Sequence, residues 1–285
     1  MSKIGIIGGS GLYSIEGMKL KERIRLDTPF GRPSDEFISG ELEGRPVIFL
    51  PRHARGHKIS PTEINFRANI YGMKKLGVER IISVCAVGSL KEEIKPCDLL
   101  IPDQFVDRTN QARKSTFFED GIVAHIAFAE PVCPITARIL NQAATGLGLT
   151  VHPKGTYINM EGPAFSTRAE SNLYKSWGMD IIGMTNMAEA RLAREAELCY
   201  VTLSMVTDYD CWRQGSEEVS VDLILENANK NIENAKRVIK EAIRHMPAER
   251  NCLCVHALKG AIATAPQNIS AEAKKKLSII IGKYL

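Results

Sequence analysis

The sequence has no apolar run approaching the ~20 residues of a membrane span, and the stretch that follows Met1 is too short for the hydrophobic region of a signal peptide. Membrane residence and secretion are therefore set aside, and a cytoplasmic location is expected. There is no internal repeat, no low-complexity tract, and no Pro/Gly/Ser-rich linker or charge block at which to cut the chain. Positive charge is barely in excess, with 37 Lys and Arg against 33 Asp and Glu and a formal charge of +4, and it is spread out, so a nucleic-acid-binding tail is not expected. Aromatic residues make up only 6%, yet 44% of the 285 residues are hydrophobic, which supports one large core. The domain reading is a single unit over residues 1–285, with 247–285 as a helical C-terminal extension.

Cysteine is neither absent nor abundant: there are seven, an odd number, in a chain too long to need a disulfide scaffold. Cys252 and Cys254 form a C-x-C pair that suits a metal or a strained, reducible ring. No second Cys/His pair stands at finger-like spacing nearby, so a disulfide is preferred to zinc and no metal is expected.

Short apolar runs bounded by Gly or Pro alternate with amphipathic stretches, the pattern of an α/β fold with a mixed or parallel sheet flanked by helices. Strands are predicted over residues 3–7, 47–50, 80–87, 99–106, 156–160, 180–184 and 200–206. Ser60-Pro61-Thr62-Glu63 has capping-box spacing and predicts a helix to about Leu76; Thr167 and Glu170 repeat the spacing before another. Further helices are predicted over 135–147, from Asn186 with Glu189, from Ser220 to before Pro247, and from near Ser270.

Polar and special residues gather at the strand ends, where α/β sheets bind ligands. GIIGGSGL lacks the G-x-G-x-x-G spacing of a dinucleotide site, but its turn with Ser10 offers N–H groups and a hydroxyl to an anion. Arg52-His53, followed by Arg55 and His57, is a cationic patch suited to phosphate, or else a solvated basic loop. Within MEGPAFSTRAES, Glu161 can accept from a sugar hydroxyl or a partner group, and Phe165 is either core or a platform for a planar base. Asp208 and Asp210 stand two apart after an apolar strand, so both face one side, as a contact with two atoms of a heterocycle needs; a metal pair or a helix cap is the rival reading.

Together, GGSGLY, PRHARGH, AVGSL, EGPAFSTRAES, GMTN, TDYDCW and VSVDLIL, in this order over roughly residues 3 to 240, resemble the purine nucleoside phosphorylase family, and within it the methylthioadenosine phosphorylases. The resemblance implies one α/β domain with a mixed sheet, assembled as a homotrimer or a dimer of trimers. Its implied reaction is phosphorolysis of 5'-methylthioadenosine to adenine and 5-methylthioribose 1-phosphate, with inorganic phosphate as co-substrate and no organic cofactor or metal. It assigns Ser10, Arg52, His53, Cys85, Ala86 and Thr185 to phosphate and Met184 to the ribose. Asp208 and Asp210 would read adenine with Phe165 and Ser166 beside it, Val221, Ile224 and Leu225 would receive the methylthio group, and His125 would reach a neighbouring subunit's site. Cys85 stands where relatives commonly carry a hydroxyl or amide, and a thiol is a poor donor.

The chemistry asks for an acid at purine N7, assigned to Asp208, and for an acceptor at the exocyclic amine, assigned to Asp210. The alternatives are a phosphorylase preferring methylthioinosine or other purine nucleosides, a nicotinamide-dependent oxidoreductase, and a silent nucleotide-binding regulator.

Overall fold

The structure, a computed structural model, describes residues 2–12, 15–110, 113–213 and 221–285, apart from the side chains of residues 10, 221–225 and 228. The strands are β1 (Lys3–Gly8), β2 (Lys19–Ile24), β3 (Phe37–Leu42), β4 (Arg45–Pro51), β5 (Val78–Ser89), β6 (Leu99–Leu100), β7 (Gln104–Arg108), β8 (Val151–His152), β9 (Thr156–Met160), β10 (Ile181–Gly183) and β11 (Cys199–Tyr209). The helices are α1 (Phe66–Lys75), α2 (Pro134–Gly146), α3 (Arg168–Ser176), α4 (Asn186–Glu195), α5 (Val221–His245), α6 (Ala271–Lys276) and α7 (Ser278–Ile281). All strands join one mixed sheet in the order β2-β3-β4-β1-β5-β10-β9-β7, with β11 pairing β5 and β6, and β6 pairing β8. Among the described residues no helix is long and apolar enough to cross a membrane.

The period-2 alternation of the central strands divides the core between two faces. Ile7, Ile48, Leu50 and Ile81 face α1, α4 and the C-terminal segment, whose Leu258, Ile269, Leu277 and Ile281 join the same cluster. Ile4, Ile6, Val47, Phe49, Ile82 and Val84 face the opposite way, against α2 and α5. Both faces are covered, as expected for strands that read as continuous Val/Ile/Leu runs.

Strand β5 organises the sheet. Its edge opposite β11 is shared: β1 pairs it in parallel as far as Ser83, and β10 pairs it antiparallel only at Gly88 and Ser89. Between those points the edge has no strand partner, and Ala86 is exposed within an otherwise largely buried strand. This split is a crevice of the kind in which α/β sheets hold ligands.

Two sequence expectations shift. Ser60 N–H and Oγ do donate to Glu63 Oε2 at 3.0 and 2.7 Å, but Glu63 N–H returns to Ser60 O rather than Oγ, and the bonds close only a turn. Helix α1 starts at Phe66, capped by Asn65, whose Oδ1 accepts from Ala68 N–H at 3.1 Å. The expected strand over 99–106 is broken at Pro102, which has no N–H for the ladder, into β6 and β7. The box at Thr167 and Glu170 forms as expected, and Ser270 caps α6. The expected Ser220 cap lies outside the described residues.

Helix α1 lies unusually close to β3 at Gly72, where an added Cβ would stand 2.3 Å from Cζ of the buried Phe37 ring. Ala in place of Gly gains about 1 kcal/mol of helix propensity, while overpacking a fixed aromatic costs about 1–3 kcal/mol. We expect Gly72→Ala to lower the thermal unfolding midpoint and Phe37→Leu to recover part of the loss in the double variant. An unchanged midpoint in Gly72→Ala would show that α1 is free to back away.

Candidate active site

Arg52 directly follows β4, and its backbone N–H donates to Gly8 O at the end of β1, 3.0 Å away, so the glycine turn of residues 8–11 lies beside it. Its guanidinium is buried and forks onto Glu189 of α4: Nε donates to Oε1 at 2.5 Å and Nη2 to Oε2 at 3.1 Å. Nη2 also donates to Ser83 Oγ, and Nη1 to Val84 O at 3.0 Å. Burial acts against the charge, but the Glu189 carboxylate more than offsets it and raises the guanidinium pKa. Ser83 Oγ and Tyr200 Oη donate to Glu189 Oε2 at 2.7 and 2.9 Å, and Asn186 Nδ2 reaches Ser83, Tyr200 and Thr202. The guanidinium's bidentate edge, assigned to phosphate from the sequence, is thus occupied by Glu189. Of its five N–H groups, one on Nη1 remains.

Further sequence candidates neighbour this fork in the chain or in strand register. His53 Nδ1 donates to Ile59 O at 2.8 Å, since a carbonyl can only accept, and this leaves Nε2 as the ring's acceptor when neutral. Burial and then the Arg52 charge lower its pKa to about 4, so the ring is neutral at pH 7. It stacks on His57 with centroids 4.4 Å apart. Cys85 is buried, and burial pushes its thiol up to about 11. Thr185 precedes α4, and its side chain makes no capping bond. Extending the antiparallel register of Ile182 with Gly88 places Met184 opposite exposed Ala86. Ser10 opens a short turn after β1, and its side chain lies outside the description.

Five residues further along β5 the second half of the site forms. A bulge leaves Thr207 without a partner between the pairs Val206/Val87 and Asp208/Gly88. Two of its carbonyls accept from α5: Asn231 Nδ2 donates to Val206 O at 2.8 Å, which also accepts from Cys97 N–H at 2.8 Å, and Asn227 Nδ2 donates to Thr207 O at 2.6 Å. Asp208 and Asp210 both flank Gly88, where an added Cβ would lie 3.4 Å from Asp208 Oδ2 and from Asp210 Cβ. Burial, with a smaller contribution from Asp210, raises the Asp208 pKa to about 6, although Thr207 Oγ1 donates to its Oδ1 at 2.6 Å. Burial also raises Asp210. Ser166 and Ser171 stand beside it, yet its buried Oδ2 has no donor in bonding geometry. A buried unsatisfied carboxylate oxygen of this kind calls for a ligand donor.

The remaining sequence candidates fall out as follows. Phe165 is 53% exposed, so its core reading is overturned and a free aromatic face lies on the segment that leads to Ser166. Of the two readings of Glu161, the partner group holds: it accepts from Asn110 N–H at 2.8 Å and Arg113 Nε at 3.1 Å. His125 is exposed, on a strip where its N–H donates to Ala261 O at 2.8 Å. The side chains of Val221, Ile224 and Leu225 lie outside the described residues.

Sequence reasoning missed Arg113, whose guanidinium donates to Met184 O and Glu161 O and so ties Met184 to the 160–166 turn. It also missed Ser83 as a bridge and the N-x-x-x-N pair of α5. Glu189 was taken as a helix-opening residue; a carboxylate near an N-terminus reads that way when its tertiary partner is 137 residues distant. The C-x-C pair was judged to lack partners, but Cys133 and Cys199 join it in space.

A mixed sheet covered on both faces, with polar strand ends around a split beside its central strand, defines a nucleoside phosphorylase-like α/β protein. The chain belongs to the Phosphorylase superfamily, whose family model it matches over residues 3–244. It is 58% identical over 282 residues to an S-methyl-5'-thioadenosine phosphorylase of Geobacter sulfurreducens, covering 99% of each chain. A second S-methyl-5'-thioadenosine phosphorylase, from Koribacter versatilis, is 58% identical over 283 residues, covering 99% of this chain and 97% of the relative. Among solved structures, a methylthioadenosine phosphorylase from an Antarctic soil metagenomic library superposes with a TM-score of 0.93 at 48% identity, covering 98% of each chain. A mutant adenosine/methylthioadenosine phosphorylase of Schistosoma mansoni in complex with methylthioadenosine gives 0.85 at 36% identity, covering 91% of this chain and 96% of that one.

Two outcomes are expected. Removing one partner of a buried ion pair costs about 3–5 kcal/mol, so Glu189→Gln should destabilise the protein by that amount in equilibrium denaturation. Arg52→Met combined with Glu189→Leu should cost less than Glu189→Gln, and a single-variant loss under about 1 kcal/mol would deny the pair its structural part. The second concerns protons. With a folded pKa of about 4 against 6.5 unfolded, His53 contributes stability that is present above pH 6.5 and is lost as pH falls toward 4. Asp208, at about 6 against 3.8, acts in the opposite sense, its contribution being lost as pH rises through 6. NMR titration should find the His53 ring protonating near pH 4; a midpoint near 6.5 would place it in open solvent.

Proposed function

We propose that the chain is a cytoplasmic pentosyltransferase that cleaves 5'-methylthioadenosine with inorganic phosphate, giving adenine and 5-methylthioribose 1-phosphate for purine and methionine salvage. The observation that carries the reading is the pair of buried acids around Gly88: one with its pKa raised to about 6, the other with an unsatisfied oxygen. Full-length likeness to S-methyl-5'-thioadenosine phosphorylases supports it.

Phosphate binds over the open edge of β5, against the Ala86 N–H, the hydroxyls of Thr185 and Ser10, and the remaining N–H of Arg52. Arg52 acts mainly through its fixed positive field and by placing the backbone around it. Cys85 contributes shape rather than a hydrogen bond, because its thiol is a weak donor held protonated by burial. Neutral His53, a weak base because its pKa is lowered, accepts a hydrogen bond at Nε2 from the O–H of hydrogen phosphate and so orients the dianion for attack. A phosphate oxygen attacks C1' as the N-glycosidic bond breaks and its electron pair passes into the purine. Asp208 in its neutral form gives a proton to N7, and Asp210 Oδ2 accepts from the exocyclic amine.

Met184 lies under the ribose, Phe165 and Ser166 border the base, and Val221, Ile224 and Leu225 receive the methylthio group. His125 completes the site of a neighbouring subunit in a homotrimer or dimer of trimers. Inorganic phosphate is the co-substrate, and no organic cofactor or metal takes part in the transfer. An acceptor at Asp210 favours a 6-amino over a 6-oxo purine, since a carboxylate repels a carbonyl oxygen, which disfavours methylthioinosine.

Incubating the protein with methylthioadenosine should release adenine only when phosphate is present, with sugar 1-phosphate in equal amount. Asp208→Asn should slow the release by about 10²–10⁴-fold. Equal release without phosphate would identify a hydrolase, and an unchanged Asp208→Asn rate would remove that residue from proton transfer.

A further inference from the structure

Four of the seven cysteines converge outside the phosphorolysis site. Cys133 is the N-cap of α2, Cys199 begins β11, and Cys252 and Cys254 lie in the short turn after α5. All four Sγ atoms lie within 4.8 Å of one another, and three of the residues are buried. We propose that they form a tetrathiolate site for one thiophilic divalent cation, zinc, which ties the C-terminal segment to the sheet.

The geometry distinguishes this from other uses of thiols. Tetrahedral zinc with Zn–S near ~2.3 Å has S···S edges of ~3.8 Å, and the Cys199 and Cys252 sulfurs are 3.3 Å apart. Disulfides would draw the sulfurs into two pairs at ~2.05 Å, whereas here all four are mutually close and every cysteine is free. The donor set is all sulfur, with no position assigned to water or a carboxylate, which describes a closed structural site rather than a catalytic one.

Charge is compensated as well. Four thiolates around Zn²⁺ carry a net charge of about −2. Cys133 sits at the positive end of a 13-residue helix, and Thr136 Oγ1 donates to its sulfur at 3.4 Å. Buried Arg80 is the β5 partner of Cys199 in the parallel register. Such outer contacts orient and stabilise metal-bound thiolates.

The test uses the full chain, reduced, stripped of metal and kept without oxygen. Titration with Co²⁺ should give the visible bands of a tetrahedral tetrathiolate complex, saturating at about one ion per chain, and zinc should displace them. The protein purified without chelator should hold about one zinc per chain; in Cys252→Ser zinc should fall to under about a tenth, and in Cys97→Ser it should be retained. Wild-type cobalt spectra decide the matter even if Cys252→Ser fails to fold. A metal-free protein four hydrogens lighter than the reduced chain would establish two disulfides and overturn the proposal. Four free thiols that bind neither ion would overturn it equally.

Discussion

Burying Arg52 and Glu189 together, with side chains 3% and 1% exposed, removes two charges from water, at a cost of several kcal/mol per ion. The fork between them, the Ser83 and Tyr200 hydroxyls and the Val84 carbonyl make up that cost only if β4, β5, β11 and α4 keep one mutual position. A hydrophobic pair of equal volume would serve stability as well, so what the ion pair adds is register. Three of the elements it ties carry a residue proposed for phosphate: His53 next to Arg52, Cys85 and Ala86 just beyond Ser83 and Val84, and Thr185 before α4. The arginine thus shapes the proposed anion site chiefly through its protein bonds, which a reading of guanidinium as a phosphate fork does not anticipate.

The distance between the two halves of the site is set by β5. From Val84 to Gly88 the chain advances about 13 Å at ~3.3 Å per residue, a span suited to a phosphate, a pentose and the near edge of a purine. The gap between β1 and β10 leaves that length of edge open, and β11 seals the other side. Without the bulge at Thr207, Asp208 would align with Ser89, one residue out of step, and turn its carboxylate to the other face. Asn227 and Asn231 help hold the bulge by donating to its carbonyls, so the aim of the acids depends on helix α5 as well as on the sheet.

How much of this was legible follows from the range of the signals. Strand cores, the Thr167 capping box and the Ser270 cap are written in neighbouring residues, and they appear where the pattern places them. Ser60-Pro61-Thr62-Glu63 shows the limit, because local bonds of the right kind can close a turn when Asn65 offers a better helix start. The facing of Asp208 and Asp210 was legible from their spacing, although a bulge intervenes. Glu189, Ser83, Arg113 and the α5 asparagines were not, since each acts through partners far away in sequence and looks locally like a helix former or a strand filler. The cysteine cluster was hidden for the same reason: Cys133 and Cys199 are 66 positions apart, and neither lies near the C-x-C pair in the chain.

The C-terminal segment gives that cluster a consequence for the site. Beyond Cys254, Leu258 N–H donates to Glu197 Oε1 at 3.1 Å, and Lys283 meets Glu197 Oε2 at 2.6 Å, two residues before Cys199. The chain then pairs with residues 123–125, through the bridge of Ala124 with Ile262 and the bond from His125 N–H to Ala261 O. The strip that presents His125 is therefore supported by a segment whose other end is held at the start of β11. Zinc at the four cysteines shortens the free length of that segment and, with Glu197, fixes it at two adjacent points on the strand that bears the acids. A rigid path then runs from the thiolates along β11 to Asp208, and a second runs through the C-terminal segment to His125. One staple so far from the chemistry can hold both the intrasubunit acids and the exposed histidine in place.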